Sequence, residues 1–254
     1  MRKLIEDLAR RAAPAVMANR AARYERTIRE KWGLPALADA FIAVHGDHVL
    51  AGPMQGLRYT RTGDAPVAKL LGVYEIEIAG WIEEGLVARP SVFVDLGAAD
   101  GYYAVGAKVR CPGIDVIAFE LAPIARRELE ELGAINGVQV DIRGQATAQT
   151  LADLPLHDAM LLCDIEGAEA EVLDPSPLAT CTVIVELHEQ VSPGVTDLLL
   201  RRFSDTHHGE IVRSAPRDPR GFPQLSVLTP TQQALALDEH RGDMAWARFT
   251  PQRG

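Results

Sequence analysis

The chain has 254 residues, 47% of them hydrophobic and 24% charged, a composition that suits a folded globular domain and excludes a disordered or low-complexity chain. No apolar run reaches the ~18 residues needed to span a bilayer, so integral membrane association is not expected. The net charge of -9 is uneven: residues 1–31 hold nine Lys/Arg against Glu6, Asp7, Glu25 and Glu30, a local +5 that leaves -14 on the remainder, and so acidic a body lacks the basic footprint of a nucleic-acid binder.

The first 31 residues predict a helix broken or kinked at Pro14, whose ring removes a backbone donor. Arg10, Arg11 and Arg20 hem in its apolar patch, which is not that of a signal peptide; its basic face suits packing or a homodimer contact. A short helix over 34–44 follows Gly33. Two extended pieces, His48–Leu50 and Leu57–Thr60, flank a turn-rich segment and predict a small hairpin. From Val67 to Leu86, apolar residues at helical spacing (Leu70, Leu71, Tyr74, Ile78, Trp81, Ile82) predict one amphipathic helix. Residues 1–66 are thus expected to form an N-terminal extension or cap, and 67–254 the main domain.

From Ser91 short apolar runs alternate with helical stretches. Val92–Leu96, Asp115–Phe119, Val138–Ile142, Ala159–Cys163 and Thr182–Leu187 read as strands, and their continuous apolar character implies burial on both faces. An α/β fold follows, with a mostly parallel sheet flanked by helices. The tail predicts a helix over 193–206, a strand near 209–214, a Pro/Arg-rich loop through Pro223, and strands near 225–228 and 244–249. Cys111, Cys163 and Cys181 fit neither a disulfide framework nor a zinc spacing, and are expected to be reduced thiols in a cytoplasmic protein.

The chemistry concentrates where the first strand ends. Asp95 closes it, and a turn containing Gly97, Ala98 and Gly101 opens a helix. Glycine there permits positive φ and close approach to the backbone, at the strand ends where doubly wound folds bind ligands. The glycines are spaced Gly-x-x-x-Gly, an incomplete dinucleotide fingerprint. Asp95 would repel a pyrophosphate but favour a cationic amino acid and sulfonium, which points to S-adenosylmethionine over NAD. The next strand ends at Glu120, 19 residues beyond Gly101, where a carboxylate can accept hydrogen bonds from ribose hydroxyls. After the third strand, Gln145 and Ala146 are placed to meet an adenine edge.

The run Asp95-Leu-Gly-Ala-Ala-Asp-Gly101, then Ala118-Phe-Glu120, Leu162-Cys-Asp164-Ile-Glu166-Gly-Ala-Glu169 and Val185-Glu186-Leu-His188 resembles the FkbM-like methyltransferases, from about Lys69 to Trp246. The resemblance implies a seven-stranded class I methyltransferase sheet with a reversed final strand, S-adenosyl-L-methionine as donor, and O-methylation of sugars or natural products. It also implies that Tyr74 and Glu75 line the cofactor site. Leu121, in the cofactor loop after Glu120, stands where that family often has Pro.

Asp164, Glu186 and His188 are the candidate catalytic residues at the fourth and fifth strand ends. Glu166 and Glu169 are expected in a helix's first turn, stabilised by its dipole. His188 suits a general base taking a hydroxyl proton, with Asp164 or Glu186 orienting it or the acceptor; a hydrogen-bonded structural histidine is the other reading. Asp164, Glu186 and Glu189 would be the ligands if the site took Mg²⁺, which is not the favoured reading. The expected partner is a small-molecule acceptor. An NAD-linked oxidoreductase and an inactive cofactor-binding scaffold acting through residues 1–60 are the alternatives.

Overall fold

The computed structural model describes residues 2–60, 65–239 and 242–252. Helix α1 (Arg2–Lys31) runs unbroken through Pro14, so the expected break does not occur. One proline removes a single donor, and the helix keeps the bonds on either side. It packs on α6 (Pro123–Asn136) through an Arg26–Glu128 ion pair. Asn19 Oδ1 also accepts from the Ile124 N–H at 3.0 Å. That amide belongs to the first turn of α6, which lacks a side-chain cap of its own, so α1 satisfies one of its orphan donors.

Helix α2 (Leu34–His45) buries Leu37, Ala38 and Phe41. The hairpin shrinks to one antiparallel bridge, His48 with Arg58. The single helix expected over 67–86 is two, α3 (Pro66–Leu71) and α4 (Ile76–Val87). Gly72, at φ 82°, causes the break; a Cβ there would lie 2.0 Å from the Ala51 carbonyl oxygen. The apolar periodicity reads straight across because Leu70, Ile78 and Ile82 all face one core.

The seven strands are β1 (Val92–Leu96), β2 (Asp115–Phe119), β3 (Asp141–Arg143), β4 (Met160–Cys163), β5 (Thr182–Glu186), β6 (His207–Arg213) and β7 (Ala245–Pro251). Their order is β3-β2-β1-β4-β5-β7-β6. β1 to β5 pair in parallel, and β7 runs antiparallel to both β5 and β6. This is the seven-stranded sheet with a reversed final strand that the sequence resemblance implies. β3 starts later than expected because the Val138 amide is spent on Gly133 O at 3.1 Å, closing α6 past Gly137 at φ 67°.

Alternate strand residues face two core layers. Phe93, Met160 and Ile184 pack with α2 to α4, with α5 (Tyr102–Arg110) and with α6; Tyr59 lies in this layer too. Val94, Leu161 and Val183 pack with α7 (Ala148–Ala152), α8 (Glu169–Val172), α9 (Pro175–Leu178) and α10 (Val195–Phe203). The strand expected near 225–228 is instead a 3-10 turn, followed by α11 (Pro230–Leu237). The Thr229/Gln232 capping box that opens α11 is legible in the sequence. No helix among the described residues is long and apolar enough to cross a membrane.

Candidate active site

A cleft of about 450 Å³, counted to its open mouth, lies at the carboxyl ends of β1 and β4. Its floor is the β1–α5 turn. Gly97 (φ 86°) and Gly101 (φ 90°) are both left-handed. A Cβ on Gly97 would stand 1.6 Å from the Asp164 carbonyl oxygen, and one on Gly101 would stand 2.7 Å from Leu129. What approaches these glycines so closely is the protein itself, so they let the turn pass between the β4 end and α6. Gly97 and Ala98 line the cleft and Gly101 does not.

Three non-glycine residues at the site hold positive φ: Glu75 (47°), Ala99 (46°) and Glu166 (57°). Each such conformation costs about 1–3 kcal/mol and persists only where surrounding bonds hold it. Ala99 is held by its N–H donating to Glu120 Oε2 at 2.9 Å. Glu75 is held from both sides: its N–H donates to Glu239 Oε1 at 2.9 Å, and its Oε2 accepts from Tyr103 at 2.7 Å. The break between α3 and α4 therefore turns Tyr74 and Glu75 into the cleft. Glu166 precedes α8 and lies outside its first turn, contrary to the expectation from sequence, whereas Glu169 lies in it as expected.

Asp95 is 3% exposed and lines the cleft. Its Oδ2 has no hydrogen-bond partner among the described residues. Burial, then the charges of Glu120 and Glu75, push its carboxyl up to about 8. Asp100, Glu75, Asp164 and Glu186 share the cleft wall with it, against one cation, Lys69, among the described lining residues. Lys69 is itself buried, with Nζ 3.3 Å from Asp100 Oδ1 and 4.6 Å from the Tyr74 ring centroid. Tyr59 donates a short hydrogen bond to Asp100. Sequence reasoning gave no role to Lys69, Asp100, Tyr102, Tyr103 or Trp246, all of which line the cleft; a lysine inside the apolar run Pro66–Leu71 was the available signal.

Glu120 Oε1 accepts from the Ala122 N–H at 2.6 Å and Oε2 from Ala99. Each oxygen retains a second lone pair. Glu120 and Leu121 stand beside the turn, outside the cleft lining. Gln145 is exposed, Ala146 packs against the layer of α7 to α10, and neither reaches the cleft.

Asp164 and Glu186 line the cleft, while His188 is buried behind them. Glu169, fully buried, orients the imidazole: its Oε1 lies 2.8 Å from Nδ1 and also accepts from the Gly167 N–H at 3.0 Å. The orienting carboxylate is thus Glu169, not Asp164 or Glu186. Burial alone would lower the His188 pKa, but the Glu169 hydrogen bond and the charges of Glu169, Glu186 and Glu166 outweigh it and raise the ring above its ordinary value. Glu189 stands apart from the other two acids: its two oxygens accept from Gly194 and Thr196 N–H at 2.8 and 2.9 Å, capping α10, and the ligand-type atoms that lie close together are those of Asp164, Glu186 and His188. Cys163 and Cys181 are buried free thiols and Cys111 is half-buried.

No family model and no curated protein matches the chain. Solved structures do resemble it. Precorrin-6y C5,15-methyltransferase from Geobacter metallireducens is 15% identical, with a TM-score of 0.42 over 65% of this chain and 85% of that one. The O-methyltransferase TomG from Streptomyces achromogenes, in complex with SAM, is 13% identical, with a TM-score of 0.43 over 66% and 76%. An rRNA methylase from Streptococcus thermophilus is 8% identical, with a TM-score of 0.46 over 69% and 97%. The fold is Rossmann-like, with strand order β3-β2-β1-β4-β5-β7-β6. At these identities the chemistry has to be argued from the chain's own residues.

Proposed function

We propose that the chain is an S-adenosylmethionine-dependent methyltransferase acting on a hydroxyl of a small molecule. The observation that supports this best is Asp95: a buried carboxylate with one oxygen unsatisfied by protein, facing a cleft that four further acids line. A pyrophosphate brought to that wall would meet five acidic side chains, each ionised or able to ionise, and one lysine. A ligand with an ammonium and a sulfonium meets complementary charge instead. When bound, S-adenosylmethionine supplies an electrophilic methyl group.

The chain's residues divide the binding among them. Asp95 and Glu75 accept from the ammonium, and Lys69 attracts the carboxylate of the same amino acid. Glu120, beside the turn and with a lone pair left on each oxygen, takes ribose hydroxyls. Asp164 and Glu186 end adjacent strands on the cleft wall, where they orient the acceptor hydroxyl and receive its proton. The resemblance to FkbM-like proteins favours a sugar or natural product as acceptor, and the acidic body disfavours nucleic acid. Reduced cysteines fit a cytoplasmic enzyme.

Calorimetry with S-adenosylhomocysteine and with NAD tests the cofactor. Binding of the first and not the second is expected; the reverse would overturn the reading. Incubating the protein with isotopically labelled S-adenosylmethionine and small-molecule extracts, then searching by mass spectrometry for labelled methylated products, tests turnover. Tight binding with no labelled product across broad acceptor panels would favour the inactive scaffold instead.

A further inference from the structure

Behind the cleft, four carboxylates gather around one imidazole. The His188 side chain is 5% exposed, and Glu169 at Nδ1 fixes its ring. Nε2 then points toward Asp164 Oδ1 at 3.5 Å, Glu186 Oε1 at 3.5 Å and Glu166 Oε2 at 3.4 Å. None of these is a hydrogen bond, since N–H···O contacts fall at about 2.7–3.2 Å. An imidazolium seeking a partner among three carboxylates would close on one of them. Instead the buried nitrogen stands equidistant from all three.

That spacing has another meaning. Ligand atoms about 2.1 Å from a shared ion and separated by 3.5 Å subtend an angle of about 110°, within the range of adjacent positions on a metal. One ligand atom from each of Asp164, Glu186 and His188 lies within 4.8 Å of the other two. Glu169 supplies the remaining part of such a centre, a carboxylate on the far nitrogen that fixes the tautomer and presents the other lone pair to the ion.

We propose that Asp164, Glu186 and His188 bind a divalent cation. Two carboxylates and an imidazole suit a first-row transition ion of the Mn²⁺ to Zn²⁺ group better than Mg²⁺, which favours oxygen ligands alone. Glu189 takes no part, because it is turned to cap α10 and lies outside the group that Asp164, Glu186 and His188 form. The exposed Glu166 closes the open side from the strained loop. Because Asp164 and Glu186 also form the cleft wall, the ion would sit where an acceptor oxygen arrives and could hold that oxygen as a ligand. The binding itself is argued from these side chains alone and does not depend on which cofactor fills the cleft.

The test uses the full chain without cofactor, after exhaustive chelation, titrated with Mn²⁺ and followed by electron paramagnetic resonance and calorimetry. One ion per chain with a micromolar dissociation constant is expected, with nitrogen coupling from one imidazole in the electron spin-echo envelope. His188→Gln should abolish that coupling and weaken binding at least tenfold. Glu169→Gln, which removes only the orienting carboxylate, should weaken it by about 10- to 100-fold, and Glu189→Gln should leave it unchanged. Circular dichroism confirms that each variant is folded. If the wild-type chain binds no Mn²⁺ below millimolar, or binds it without nitrogen coupling, the site is refuted and His188 serves only to neutralise its acids. Binding of S-adenosylhomocysteine, measured separately, reports on the cofactor reading independently.

Discussion

Replacing Asp95 by Asn separates charge from shape at the centre of the site. With its pKa at about 8, the Asp95 carboxyl is about nine-tenths protonated at pH 7 in the empty protein. The ligand's ammonium, which S-adenosylhomocysteine retains, favours the ionised form of Asp95, so binding must expel that proton. Apparent affinity for S-adenosylhomocysteine should therefore rise about tenfold per pH unit from 6 to 8 and level off above. Calorimetry at pH 7 in buffers of different ionisation enthalpy should count close to one proton released. Asp95→Asn keeps the shape and loses the titration, so its pH slope should vanish. At pH 8.5 it should bind about 10- to 100-fold more weakly, the worth of a charged hydrogen bond of about 1.5–3 kcal/mol. At pH 6 the two proteins should converge, because the wild type there must first give up its proton. The stability of the empty protein moves the other way. A carboxyl raised in the folded state contributes stability that is complete below the unfolded value of 3.8 and is lost as pH climbs through about 8. The wild type should thus fall in melting temperature over that window relative to Asp95→Asn. A wild-type affinity independent of pH, or an Asn variant that binds normally at pH 8.5, would refute the reasoning.

Three other substitutions test neighbouring parts. Gly97→Ala forces a Cβ against the Asp164 carbonyl at φ 86°; strain and overpacking together should cost at least about 3 kcal/mol in chemical denaturation. Lys69→Met strands the buried Asp100 carboxylate and should destabilise by about 3–5 kcal/mol, with Asp100→Asn added to it restoring a large part; no rescue in the double variant would refute the pairing. Glu189→Ala removes the cap of α10 and should cost about 1 kcal/mol in thermal or urea unfolding while methyl transfer, once an acceptor is known, stays unchanged.

The central strands were legible because burial on both faces leaves only one reading of a short apolar run. β1 and β2 fall on their expected residues, Val92–Leu96 and Asp115–Phe119. The misread segments share a different cause. Gly72 interrupts a helix whose apolar stripe continues beyond it, so periodicity could not reveal the break that turns Glu75 inward. Val138 looks like a strand residue and is spent on a helix end. At the site, Asp95, Asp164 and Glu186 were found because strand-terminal acids are conspicuous in sequence. Lys69 and Asp100 were not, because a buried ion pair formed by residues 31 apart leaves no local pattern. Glu169, the acid bonded to His188, was missed for a similar reason: the α8 turn delivers it from 19 residues upstream.

The bond from Asn19 to the start of α6 gives the N-terminal arm a stake in the chemistry. Glu120 lies three residues before Pro123, and the backbone that carries it runs directly into the turn Asn19 completes. Tyr59 makes a second such link, through Asp100 to the cleft wall. A chain begun at residue 67 would lose both tethers. The first 66 residues are therefore not a detachable handle: Leu37, Phe41 and Tyr59 belong to the core layer that packs on the sheet, and cutting them away should destabilise the domain as well as loosen the cleft.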